Sequence, residues 1–176
     1  MSSEAQLRHA TKEDVPVILS LINELAAYEN ALNEVKATED SLLETLVFAP
    51  FSQQSEKQSS PTPRAARALL VVSPEGDVAG MALYFYNYST WHAKPGIYLE
   101  DLYVSPKYRR HGYGTILLKA LAKEVVGMGG KRLEWWCLKW NEPSLKFYEG
   151  LGATQMTDWI SLRVDGDKLL ELANEA

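Results

Sequence analysis

Apolar residues recur every three to four positions from Val15 through Ile18, Leu19, Ile22, Leu25 and Ala26, so a helix with one buried stripe is expected over 15–29. Thr11 and Asp14 are spaced as a capping box; alternatively Asp14 is itself the cap, which leaves Pro16 in the first turn. A shorter helix is predicted over 38–47, again opened by a threonine. The pattern then changes period. Runs at 69–72 and 78–88 read as two strands joined through Pro74-Glu75-Gly76, and 97–104 reads as a third. Ile116, Leu117, Ala120, Leu121 and Val125 restore helical spacing over 113–126, and Gly127, Gly129 and Gly130 stop it. A strand-like run at 132–140, a short helix from Pro143 to Glu149, a strand at 159–164 and a last helix at 167–173 complete the reading. Hairpins come first and strand–helix alternation later, which predicts a mixed α/β sheet.

Between these elements, 50–67 (PFSQQSEKQSSPTPRAAR) is polar and aperiodic, and its 52–66 portion is expected to be a mobile insertion. With 176 residues and 46% hydrophobic content, one domain spanning 1–176 is expected. The net charge of −5 argues against a nucleic-acid footprint. The opening MSSEAQLRHATKED lacks the shape of a signal peptide and no run has membrane-spanning length, so a cytoplasmic protein without a membrane partner is expected. Cys137, the one cysteine, lies in an apolar run and reads as a buried structural thiol. His9, His92 and His111 show no ligand spacing, and no metal is expected.

The candidate chemistry begins at Arg109-Arg110-His111-Gly112-Tyr113-Gly114, where a strand gives way to a helix. Glycines there admit close backbone approach, and the first N–H groups of a helix point outward without partners. Such an end suits an anion, phosphate above all. Two common phosphate signatures fail here. The dinucleotide fingerprint needs a third glycine where Leu117 stands, and the ATPase loop needs a lysine between Gly114 and Thr115.

Arg-x-x-Gly-x-Gly, entered from Val104-Ser105-Pro106-Lys107-Tyr108, resembles the pyrophosphate-binding motif of the GCN5-related N-acetyltransferases. Asn141-Glu142-Pro143-Ser144-Leu145-Lys146-Phe147-Tyr148, followed by Gly152-Ala153, resembles that superfamily's later motif. Leu-Ala-Ala-Tyr-Glu (25–29), Tyr-Leu-Glu-Asp (98–101), Trp-Asn-Glu-Pro-Ser (140–144) and the tail from Trp159 through Leu170 are similar to segments of the diamine acetyltransferases. These are the spermidine/spermine N1-acetyltransferases and their thialysine-acetylating relatives.

The resemblance implies a largely antiparallel sheet of six to seven strands, flanked by helices and splayed near the cofactor. It also implies acetyl-CoA as cosubstrate, a small-molecule primary amine as acceptor and a homodimer. It places Leu102, Tyr103 and Val104 beside the pantetheine arm, with a strand bulge whose amide faces the thioester oxygen. Arg109, Arg110, His111, Gly112, Tyr113, Gly114 and Thr115 would hold the diphosphate, and Asn141, Ser144 and Tyr148 would face the thiol end. Glu100 matches the family's base and Tyr148 its acid. Tyr28, Glu29, Glu100, Glu134, Trp135 and Trp136 map onto the acceptor pocket, where carboxylates and aromatic faces suit an ammonium. Trp135 and Trp136 alternate along one strand, so at most one meets a given acceptor. Lys139 departs from the polyamine enzymes, which carry an acid there, and it favours an acceptor bearing a carboxylate. Peptide acetylation and catalytically silent acyl-CoA binding are the competing readings.

Overall fold

The structure, a computed structural model, describes residues 4–51 and 64–174; the insertion expected at 52–66 thus lies outside the described residues over 52–63. The chain divides into two compact units, Met1–Trp136 and Cys137–Ala176.

The first unit is built on a mixed sheet. Its strands are β1 (Gln6–His9), β2 (Leu46–Val47), β3 (Ala66–Val72), β4 (Val78–Ser89), β5 (Lys94–Val104) and β6 (Leu133–Trp135). Their order is β1-β3-β4-β5-β6, with β2 sharing the β1 side of β3. β1, β3, β4 and β5 pair antiparallel, whereas β2–β3 and β5–β6 pair parallel. The expected hairpin is present and its turn places Gly76 at φ 96, a conformation that glycine adopts without Cβ strain.

Two helices cover the faces. α1 (Val15–Tyr28) buries Val15, Ile18 and Leu21 with Leu42 of α2 (Glu39–Thr45) against Ala68, Leu70, Met81, Leu83 and Tyr103. The alternate positions Leu69, Val71, Ala82, Tyr84, Ile97 and Leu99 are buried on the other face. There α3 (Tyr113–Gly127) packs, with Leu117, Leu121 and Val125 buried. Glu124 of α3 fixes that packing, accepting hydrogen bonds from the Tyr84 hydroxyl at 2.9 Å and the Tyr86 hydroxyl at 2.5 Å. Burial and the Glu124 charge hold both phenols above their ordinary range, Tyr86 at about 12.

Cys137–Ala176 contains α4 (Glu142–Gly150) and α5 (Gly166–Asn174). Asn141 caps α4, its Oδ1 accepting from the Ser144 backbone N–H at 3.3 Å. α4 closes with Gly152 at φ 88, whose N–H donates to the Glu149 carbonyl.

Four sequence expectations are corrected. The strand expected at 132–140 is regular only over Leu133–Trp135, because its ladder with β5 ends at Leu99. The segment 159–164 alternates correctly but pairs with no strand among the described residues. Strand β3 begins at Ala66, inside the expected loop. β1 and β2 were not expected at all; Gln6–His9 is a polar edge strand and β2 has only two residues.

The Thr11/Asp14 pairing resolves as a capping box around a single 3-10 turn, Lys12–Asp14, that leads into α1. Asp14 accepts from the Thr11 N–H at 2.8 Å and from both Arg8 terminal nitrogens at 2.6 and 2.7 Å. Arg8 above all holds the carboxyl down at about 2. A depressed carboxylate contributes its full stability above the unfolded value near 3.9 and loses it as pH falls through about 2. Because Arg8 is partly exposed, roughly 1–2 kcal/mol is expected rather than the full linkage value. Asp14→Asn should therefore lower Tm by about 2–8 °C at pH 7, and the gap to the wild type should close between pH 4 and 2 in thermal melts.

Candidate active site

The site is set by one extra residue in β5. Leu83 pairs with Asp101 and Tyr84 pairs with Leu99, so Glu100 has no partner across the ladder and forms a bulge. Strand side chains alternate, and an unbroken β5 would carry 97, 99, 101 and 103 on one face. The bulge breaks that sequence. Ile97 and Leu99 lie toward α3, whereas Tyr103 belongs to the core beneath α1 and Asp101 pairs with Leu83 of that same core.

Two successive carboxylates, Glu100 and Asp101, are thus brought into one electrostatic neighbourhood, with Glu29 joining them from the C-terminal cap of α1. Glu100 is exposed and Asp101 is half-buried. Burial, then Glu100 and Glu29, push Asp101 up to about 6, and burial raises Glu29 as well. The carboxyl end of α1 adds partial negative charge.

β6 runs beside β5 only as far as Leu99↔Trp135, and β5 continues alone to Val104. The backbone of 100–104 therefore has a free edge on the β6 side among the described residues. Leu102, Tyr103 and Val104, expected beside the pantetheine arm, lie along it. Glu134 pairs with Tyr98, and Trp136 makes an edge-on contact with the Tyr98 ring at 6.0 Å. Trp135 pairs with Leu99 and lies on the opposite face. Of the two tryptophans, Trp136 is the one on the carboxylate side.

Glu134 is less available than its charge suggests. Its Oε2 accepts from Asn87 Nδ2 at 2.7 Å and stands 2.7 Å from Arg132 Nε, which ties β4 to β6 and offsets the carboxylate.

After β5 the chain turns through Pro106–Tyr108 into the glycine stretch. Glu24 of α1 anchors that turn, accepting from the Ser105 hydroxyl at 2.9 Å. Arg109 faces back into the unit: its guanidinium lies 5.3 Å from the Tyr28 ring and 5.6 Å from the Tyr103 ring, and its Nε donates to the Val104 carbonyl. Arg110 and His111 stay exposed.

Arg110 (φ 66) and Gly112 (φ 78) both adopt left-handed backbone. That costs a non-glycine residue roughly 1–2 kcal/mol, a strain of the kind that clusters at ligand clamps. The first helical bond of α3 runs from Ile116 N–H to the Gly112 carbonyl, and no side chain caps the helix. The N–H groups of Gly112, Tyr113, Gly114 and Thr115 precede the first internal bond and fit an anion. Nothing lies within 4 Å of a Cβ built at Gly112, so space above this turn is open.

In Cys137–Ala176, Asn141 is buried and occupied by its cap, while Tyr148 is half-buried with its ring 5.2 Å from that of Phe147. Asp101 is the group the sequence reading passed over. The adjacency of Glu100 and Asp101 in an apolar run was its only signal, because a regular strand would send the pair to opposite faces.

Comparison with known proteins gives the family and the fold. The model of the acetyltransferase (GNAT) family matches residues 35–153. The L-ornithine N5-acetyltransferase of Arabidopsis thaliana is 34% identical, over 94% of this chain and 86% of its own. The thialysine N-epsilon-acetyltransferase of Mus musculus is 33% identical, over 97% of this chain and 98% of its own. An integron cassette protein from the mobile metagenome of V. cholerae shares the fold with a TM-score of 0.74 at 24% identity, over 99% of this chain and 100% of that one.

Gly80 of β4 holds the free end of β5 in place: a Cβ there would lie 2.4 Å from the Tyr103 carbonyl oxygen and 3.0 Å from the Val104 Cα. Neither backbone atom can yield without moving the strand. Gly80→Ala should cost about 1–3 kcal/mol and lower Tm by several degrees in calorimetry, whereas Gly127→Ala, where nothing lies within 4 Å, should not.

Proposed function

The chain belongs to the acetyltransferase (GNAT) family and is an N-acetyltransferase; we propose that it moves the acetyl group of acetyl-CoA directly to the side-chain amine of a small amino acid. The observation that carries this reading is the gathering of Glu29, Glu100 and Asp101 at the point where β6 leaves β5. Such a cluster, next to Trp136 and Tyr28, suits a cationic amine. The relatives named for ornithine and thialysine, with the acetylated side-chain nitrogen in both names, support an amino acid as acceptor. Lys139, a cation where the polyamine enzymes carry an acid, supports an acceptor bearing a carboxylate.

Acetyl-CoA supplies an activated carbonyl and a thiolate leaving group. The residues proposed to hold it fit its chemistry. The free N–H groups of Gly112 through Thr115 match a diphosphate, with Arg109, Arg110 and His111 adding positive charge or donors around them. The open edge of Leu102, Tyr103 and Val104 offers backbone partners to the amides of a pantetheine arm, and Asn141 and Ser144 complete the expected set.

The acceptor arrives as an ammonium with pKa about 10.4, so at neutral pH fewer than about one molecule in a thousand can attack. Its proton is taken at the bulge, where the family resemblance points to Glu100. Tyr148 is the proposed acid: a thiolate whose conjugate acid has pKa about 8.5 leaves more easily when a phenol donates to it. A homodimer remains the assembly that the resemblance favours.

A free-thiol release assay with acetyl-CoA across amino acids, polyamines and peptides tests the reading. The highest kcat/KM is expected with amino acids that carry a side-chain amine, and preference for a peptide would replace that acceptor class. Tyr148→Phe should lose about 10²-fold or more in kcat with a smaller change in KM, and equal activity would remove its role. Gly112→Glu should raise the acetyl-CoA KM at least about tenfold, by setting a carboxylate against the diphosphate and straining a left-handed turn.

A further inference from the structure

We propose that Asp101, rather than its neighbour Glu100, is the catalytic residue that receives the ammonium proton of the acceptor, while Glu100 and Glu29 hold the cation at the mouth of the site. The inference rests on the amine-acetylation reading above and goes beyond it in assigning the proton.

Its basis is the bulge. Asp101 pairs with Leu83 and stands on the α1 side of the sheet, where a regular strand would have sent it under α3. It is half-buried, whereas Glu100 is exposed. The groups around it are few. Glu29 faces it from the end of α1, Glu100 from its own strand, and Leu83, opposite on β4, is apolar. The nearby cation, Arg109, is directed at Tyr28, Tyr103 and the Val104 carbonyl. Burial, then Glu100 and Glu134, hold Tyr98 up at about 12, so it stays protonated and cannot take the proton.

Burial acts twice in favour of this transfer. A proton passing from ammonium to carboxylate turns two charges into two neutral groups, and a shielded setting favours the neutral pair from both sides. The two like charges beside Asp101 further stabilise its protonated form. An exposed carboxylate has no such advantage. Glu100, left in water, is suited to the complementary task of attracting the charged amine.

The step balances as follows. The ammonium gives one proton to the Asp101 carboxylate, and the freed nitrogen lone pair bonds to the acetyl carbonyl carbon. The C–S bond breaks with its electron pair on sulfur. The second nitrogen proton leaves as the sulfur gains one, which turns the thiolate into a thiol. Asp101 then returns its proton to solvent, so that one amide, one thiol and one released proton result.

The test is the pH profile of kcat/KM for the acceptor in three proteins. In the wild type, activity should fall about tenfold per pH unit below about 6, as Asp101 becomes protonated. Asp101→Asn should lose about 10²- to 10⁴-fold near pH 7.5 and lose that acid limb, with acetyl-CoA binding by calorimetry unchanged. Glu100→Gln should keep the limb and raise chiefly the acceptor KM. The Asp101→Asn deficit should also shrink with acceptors whose amine pKa approaches 7, which need little help in deprotonation; a purely structural role would leave it constant. Persistence of the limb in Asp101→Asn, or its loss in Glu100→Gln, overturns the assignment. If Asp101→Asn fails to bind acetyl-CoA, the Glu100→Gln profile alone decides. A wild type that turns over no amine defeats the acetyl-transfer reading itself, whereas a wild type that does so with Asp101→Asn unaltered defeats only the role of Asp101.

Discussion

An unpaired residue in a central strand sets the arrangement of the side chains around it. With Glu100 outside the ladder, β5 changes phase between Leu99 and Asp101, and each later side chain changes face. Tyr103 joins the core beneath α1 instead of the one beneath α3, and Asp101 goes with it. β6 follows β5 only up to this point. The same irregularity thus opens a backbone edge and groups acids beside it. A sheet with perfect alternation would have offered neither.

The helices that flank this point depend on it and support it. α1 brings Glu24 to the Ser105 hydroxyl, Tyr28 to Arg109 and Glu29 to the acid group, so its last turn touches the problem three times. α3 begins with two left-handed residues, Arg110 and Gly112, and no side chain closes its amino end. α2, by contrast, is capped by Thr38, whose hydroxyl accepts from the Ser41 N–H, and α4 is capped by Asn141. The uncapped helix is the one whose first N–H groups are left without a side-chain partner.

Much of this was legible from residue order. The apolar stripes of α1 and α3, the Pro74-Glu75-Gly76 turn and the Arg-x-x-Gly-x-Gly loop are local features, and local features survive in a linear string. What failed to show was non-local. Gln6–His9 is a strand because β3 offers it an edge, and its own exposed side chains give no alternation. Ile160, Leu162 and Val164 alternate well, yet alternation supplies no partner. The bulge depends on how two strands count against each other, which neither strand encodes alone. Asp101 is, in the sequence, only the neighbour of Glu100, and residue order gives no sign that Arg132 and Asn87 hold Glu134.

The grip of Glu124 on Tyr84 and Tyr86 reaches further than its neighbourhood. Twelve residues separate it from Gly112, about 18 Å of helix at 1.5 Å per residue. A rod seated on the sheet at Leu117, Leu121 and Val125 and tied at Glu124 is fixed in direction over most of its length. The aim of those free N–H groups is thereby set as much by a carboxylate far along the rod as by the glycines beside them.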